Sequence, residues 1–220
     1  MVSLPACFIQ DAALSRFIAE IGPCLLHKQA APDPQVQSPY ASLIKAVTGQ
    51  QLHNAAARTI FRRLCALGPD HKEDGPPPPP EAILALEDDT LRRCGLSAAK
   101  IASLRAIARG RLEGLVPSLA EAHQLDDATL IKRLTSLRGV GQWTVEMLLI
   151  FHLGRQDVMP AGDLGVQEGW KRLKKLPARP TPRQLHEATI RFSPHRSALA
   201  WYCWQAKAHL PDPAPSSKKP

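Results

Sequence analysis

Closely spaced cysteines are missing from this sequence: its five (Cys7, Cys24, Cys65, Cys94 and Cys203) lie far apart, with no C-x-x-C. An odd, scattered set gives neither a disulfide framework nor a zinc ribbon. It also excludes a four-cysteine iron–sulfur loop, whose ligands stand close in sequence. Reduced, mostly buried thiols are expected. The 8 histidines show no H-E-x-x-H or other ligand spacing, so no side-chain metal site is expected. No apolar run approaches membrane-spanning length, and the opening MVSLPACFIQDAALSRF lacks a basic region followed by an apolar core. The expectation is a soluble protein, cytoplasmic or otherwise intracellular, associated with the nucleoid if bacterial. Strand-like alternation and internal repeats are absent too.

What is present is basic and helical. Lys and Arg number 28 against 20 Asp and Glu, a net charge of +8. A basic surface suits a polyanion, because phosphate contacts gain by releasing counterions. Charge alone does not separate that reading from a basic protein with no such partner. Apolar periodicity predicts helices over 11–26, 40–67 (two, broken near 49–53), 81–86, 88–94, 98–109, 126–137, 143–153, 181–192 and 194–210. The 143–153 segment is apolar nearly all round and should be a central buried helix. Ser193 is expected as an N-cap with Pro194 at the first helical position. The AAPDPQVQSP stretch reads as a linker, and GPDHKEDGPPPPP (68–80) as a loop with extended polyproline geometry. The tail 211–220 is expected to be disordered. The fold class is all-α.

One stretch stands out. In LRGVGQWTVEM (137–147), Gly139 and Gly141 fall between two helical segments, 130–137 and 143–153. No Gly-Lys-Ser/Thr follows, so this is not a P-loop, and no strand or third glycine makes it a dinucleotide loop. It reads as a helix-hairpin-helix whose glycines accept positive φ and admit something close to the backbone. Main-chain N–H groups at a helix N-terminus favour an anion, and in a basic protein a DNA phosphate is one such anion. An αα-corner that binds nothing has the same pattern. Beyond the second helix, DVMPAGDLGVQ (157–167) is a Gly/Pro loop containing Asp163, which stands where an N-cap would stand.

A hairpin followed about twenty residues later by a Pro-x-Gly-Asp loop resembles the helix-hairpin-helix (HhH-GPD) DNA glycosylase superfamily, in its 3-methyladenine DNA glycosylase II branch. Five stretches carry the likeness, in order: SLIKAVTGQQLHNAAARTI, CGLSAAKIASLRAIARG, LRGVGQWTVEMLLI, DVMPAGDLGVQ and SPHRSALAWYCW. The extra N-terminal β-rich domain of some relatives is not expected, which would make this a minimal form. The resemblance implies two helical lobes with the active cleft between them. One is 36–160, with the hairpin at about 130–153; the other combines 1–35 with 161–210. It implies hydrolysis of the N-glycosidic bond of an alkylated base, of the 3-methyladenine or 7-methylguanine type, flipped out of double-stranded DNA by a monomer. No cofactor is implied beyond a monovalent cation that the hairpin backbone could hold.

By position, Asp163 is the catalytic carboxylate of that resemblance. Glycosidic cleavage builds positive charge on the deoxyribose; a carboxylate in a desolvated cleft stabilises it and orients or deprotonates the attacking water. The nearest carboxylate in sequence is Glu168, and the lack of a closer partner suits a cationic leaving base. Trp143, Met147, Trp204 and Tyr40 are implied as base-pocket residues, with electron-rich rings attracting a cationic base. Core packing is their other reading, Trp204 being favoured for the pocket and Trp201 for the core. Met147 stands where relatives often place an aromatic ring. The hairpin residues Gly139, Val140, Gly141 and Thr144 are implied on phosphate. Gln50, Gln51 and Leu52 are implied at the wedge filling the vacated base stack, the wedge itself falling on Gln51, with helix capping as its other reading. Arg196 is implied either on phosphate or as a brace for Asp163, with a surface salt bridge as its other reading. Lyases of this superfamily carry a lysine where this chain has Trp143, so the strand should stay intact. The rival readings are a non-enzymatic DNA-binding module and a strand-cleaving glycosylase for oxidised bases.

Overall fold

In the computed structural model, residues 4–26 and 38–213 are described, and among them every regular element is helical. Most of the expected linker and residues 214–220 of the expected tail lie outside the described residues. The chain forms two compact units, one of residues 30–153 and one of residues 1–29 with 154–220. The later division follows Leu153, at a Gly154 with φ +65, rather than position 160.

The chain opens with α1 (Ala6–Ile9) and α2 (Ala12–Ile21). Asp11 caps α2 by accepting the Leu14 N–H at 3.1 Å, and Leu14, Phe17 and Ile18 face the core. The same carboxylate is paired with Lys174 and, at 2.5 Å, with Arg191. Burial alone would raise its pKa; the Lys174 hydrogen bond, the Leu14 N–H and the two cations outweigh that and lower it.

The other unit contains α3 (Pro39–Gly49), α4 (Asn54–Cys65), α5 (Pro80–Ala85), α6 (Asp88–Arg93), α7 (Ala98–Leu112), α8 (Leu119–Gln124), α9 (Asp127–Leu134) and α10 (Gln142–Phe151). Ser38 caps α3 through the Ala41 N–H, with Pro39 in the first turn where its missing N–H costs nothing. The short α1 and α8, four and six residues long, were not among the predicted helices. α8 does carry a capping box, Ser118 and Glu121. The proline loop is part of the core: Pro77 and Pro78 are buried, and the Tyr40 hydroxyl donates to the Pro78 carbonyl at 2.8 Å. Leu43, Ile44, Leu64, Ile83, Leu104 and Leu149 close that core.

The chain then completes the first unit with α11 (Leu164–Lys174), α12 (Pro182–Thr189), a 3-10 turn (Ile190–Phe192) and α13 (Arg196–His209). Rings knit its core edge to face: Phe8 on Phe192 at 5.9 Å, Phe8 on Tyr202 at 6.0 Å and Trp170 on Phe192 at 6.0 Å. Ser193 and Pro194 do not start α13 as expected. The helix begins two residues later, at Arg196, and the Ser193 hydroxyl donates to Asp157 at 2.7 Å. α11 and α13 cross closely because Gly169 lacks a side chain: a Cβ there would lie 1.7 Å from the Cys203 carbonyl oxygen.

Candidate active site

The loop from Asp157 to Asp163 is held at both ends by α13. At its start, Arg196 grips Asp157 with two parallel bonds, Nε to Oδ1 at 2.7 Å and Nη2 to Oδ2 at 2.8 Å. That hydrogen bonding holds the Asp157 carboxyl down at about 2, against the opposing pull of burial. Ser197 accepts the Val158 N–H at 3.0 Å and donates to the Arg155 carbonyl at 2.6 Å. In mid-loop, the buried Gln167 amide donates to the Ala161 carbonyl at 2.8 Å.

At its end, the Trp204 indole N–H donates to Asp163 Oδ1 at 3.0 Å. The same oxygen accepts the Val166 N–H at 2.7 Å, so Asp163 is also the N-cap of α11. The two readings of this aspartate are therefore compatible: capping fixes the carboxylate that chemistry would use. Ser197 and Trp204 are seven residues apart, two turns of one helix face. Gly165 makes the contact feasible, since a Cβ there would stand 2.9 Å from Asp163 Oδ1 and 3.0 Å from Trp204 Cδ1. Trp201 is buried in the core, while Trp204 is half-buried. Glu168 is engaged elsewhere, with Arg172 at 3.0 Å and Lys171 at 3.5 Å.

In the other unit, the hairpin joins α9 to α10. Gly139 has φ +81, and a Cβ on it would fall 2.1 Å from Ser103 Oγ on α7. Conformation and space both demand glycine there. Gly141 departs from the expected positive φ: it has φ −89 and ψ 167, ordinary extended backbone, and is the N-cap of α10. A Cβ there would meet nothing within 4 Å. Its value is a bare Cα at a helix N-terminus, where opening amides precede the first helical bond, Val145 N–H to Gly141 O. The side chains of Val140 and Thr144, expected on DNA, are buried, so only their main chain could contribute.

The junction of α3 and α4 meets this hairpin. Gln50 Nε2 donates to the Gly139 carbonyl at 3.0 Å and to Thr144 Oγ1 at 3.3 Å. Gln51 is exposed in the left-handed region at φ +59, and Leu52 is 38% exposed. With Lys45, Trp143 and Met147 they line a depression of about 590 Å³. α10 is thus not buried all round: Trp143 is 45% exposed. Tyr40, expected in a base pocket, packs in the core instead, and burial pushes its phenol well above the ordinary value. Lys45 went unnoticed in the sequence; its one signal is a lysine one turn before Gly49 on an otherwise uncharged helix. Among the described residues, no group of three or more His, Cys, Asp or Glu could hold a metal ion. None of the described helices is long and apolar enough to cross a membrane.

Residues 44–194 match the HhH-GPD superfamily base excision DNA repair proteins. The chain belongs to this family. It is 44% identical over 169 residues to DNA-3-methyladenine glycosylase 1 of Schizosaccharomyces pombe, covering 77% of this chain and 72% of the relative. It is 33% identical over 195 residues to the alkylbase DNA glycosidase-like protein mag2 of the same yeast, covering 89% and 88%. Among solved structures, the S. pombe 3-methyladenine DNA glycosylase in complex with abasic DNA has a TM-score of 0.77 at 38% identity, covering 91% of this chain and 96% of that one. A DNA-3-methyladenine glycosidase from Bacillus halodurans gives 0.76 at 29% identity, covering 92% and 88%. The all-α HhH-GPD fold expected from the sequence is the fold observed.

Proposed function

We propose that this HhH-GPD protein removes alkylated bases of the 3-methyladenine and 7-methylguanine type from double-stranded DNA by hydrolysing their N-glycosidic bond. The observation that carries the reading is the anchored carboxylate of Asp163, whose Oδ1 is fixed by the Trp204 indole N–H and the Val166 N–H. Two donors on one oxygen hold the group in place. Its negative charge stabilises the sugar cation that forms as the base departs, and it aligns water for attack. The departing methylpurine is already cationic and requires little help from a general acid. The Trp204 ring beside this carboxylate attracts such a base. The bare Gly141 at the head of α10 admits a DNA phosphate, and the Gln50–Leu52 junction fills the gap left by the flipped nucleotide. The protein acts as a monomer inside the cell, wherever its DNA lies, and no step calls on a cofactor.

The strand stays intact in this reaction. Trp143 stands at the lyase position of the hairpin and has no nucleophilic nitrogen, so water is the nucleophile and an abasic site the product. A DNA-binding module without chemistry gives no role to the Asp163–Trp204 bond or to the space kept for it by Gly165. The test is incubation with methylated duplex, with released bases measured and borohydride present in a parallel sample. Methylpurines should appear, no protein–DNA adduct should be trapped, and the strand should break only after added alkali. Absence of released bases would refute the glycosylase reading; an efficient adduct would refute water as nucleophile.

A further inference from the structure

Gln51 holds a backbone conformation that non-glycine residues rarely adopt, at φ +59. Such strain persists only where the surroundings over-determine it. The residue before it supplies the restraint. Gln50 closes α3 as its C-cap, with its own N–H on the Val47 carbonyl, and its side-chain amide reaches across 89 positions of sequence to the hairpin. There one nitrogen donates to two acceptors that belong to the hairpin's own geometry. One is the carbonyl of Gly139, the residue at φ +81; the other is the hydroxyl of the buried Thr144 in the first turn of α10. The Gln50 amide donor is therefore engaged on the hairpin rather than left free for DNA.

We infer that Gln50 is a positioning residue that locks the strained Gln51 wedge to the hairpin, so that filling the base stack and gripping the phosphate occur in one fixed register. This rests on the glycosylase reading for its purpose, but the linkage itself is a property of this unit. A wedge that must enter a base stack gains from being pre-set, because ordering it on binding would cost affinity. The bond to Gly139 places that pre-setting at the one hairpin residue that cannot be replaced without strain. Losing one donor should leave the fold intact, since the site is half-exposed, yet let Gln51 relax out of the left-handed region.

The experiment uses a duplex with an abasic site opposite 2-aminopurine, which reports stack filling without any chemistry. Wild-type protein at saturation should change the fluorescence. Gln50→Ala should lose most of that change, and Gln50→Glu, equal in size but without the donor, should lose as much. Thr144→Ser, which keeps the hydroxyl, should retain it. Release of 7-methylguanine in single turnover should fall about tenfold in Gln50→Ala, the order expected for one or two half-exposed hydrogen bonds, with an unchanged unfolding midpoint. Combining Gln50→Ala with Thr144→Val should be no worse than the more harmful single change, because both remove the same link. A wild-type fluorescence response in Gln50→Ala would overturn the inference. So would additive losses, which would place Gln50 on the DNA directly. If wild-type protein released no base, the glycosylase reading would fail while the fluorescence arm still judged Gln50.

Discussion

The Trp204 indole N–H donates to Oδ1 of Asp163 at 3.0 Å, across 41 positions of sequence. This couples the ring proposed to face a damaged base to the carboxylate proposed to stabilise the sugar. The ring consequently has two separable functions, its N–H and its π face.

Trp204→Phe keeps an aromatic face but removes the donor. Excision should fall about tenfold, the scale of one hydrogen bond to a charged group, for cationic and neutral bases alike. Trp204→Ala removes the face as well and should cost cationic methylpurines a further factor relative to neutral bases, from about 0.5–2 kcal/mol of cation–π attraction. Single-turnover release of 7-methylguanine and hypoxanthine from matched duplexes separates the two effects. Equal rates for wild type and Trp204→Phe would leave the Asp163 contact without consequence.

The two hairpin glycines should respond differently to the same substitution. Gly139→Val meets both a positive φ and Ser103, so it should lower the unfolding temperature markedly. Gly141→Val meets neither and should fold normally, yet weaken binding to damaged and undamaged duplex alike. Wild-type binding should fall steeply with salt, as phosphate contacts require. Calorimetry and a salt titration check both; a destabilised Gly141→Val protein, or salt-insensitive binding, would contradict the assignment.

Acid should loosen the loop at its Arg196 end. The Asp157 carboxyl sits at about 2 in the folded chain, below its unfolded value near 3.8. A depressed folded pKa contributes stability that is fully present above the unfolded value and is lost as pH falls through the folded one. Stability supplied by this pair should therefore fade between about pH 4 and pH 2. Arg196→Met should flatten that part of the pH–stability curve and lower stability at neutral pH, because the half-buried Asp157 loses its partner. Identical slopes for variant and wild type in that window would place the acid sensitivity elsewhere, with the Asp11 cluster the next candidate.

Most of the long helices and the hairpin were legible from sequence because apolar period and glycine spacing are local signals; α11 was signalled only by Asp163 standing where an N-cap would stand. The roles of side chains that act across distance were not. Asp157 was only the first residue of the Gly/Pro loop, and only the folded chain brings it to Arg196. Ser103 gave no sign that it would press on Gly139. Tyr40 stood two residues before a matching stretch, yet the proline loop offered its hydroxyl an acceptor and took it into the core. Gly141 shared the glycine pattern with Gly139 but not its conformation, since a spacing cannot say which of two glycines carries the turn. The start of α13 was misplaced because a proline that can open a helix can equally lie in the turn before it.

The account turns on the charge of Asp163. Asp163→Asn keeps size, caps α11 through its side-chain oxygen and can still accept from Trp204, so it removes charge and little else. The decisive measurement is single-turnover release of 7-methylguanine by this variant beside its affinity for abasic-site duplex. Release should fall by about a hundredfold or more, the scale of losing a group aimed at developing charge, while the affinity stays within about twofold. Release at the wild-type rate would reduce Asp163 to a helix cap and remove the proposed mechanism.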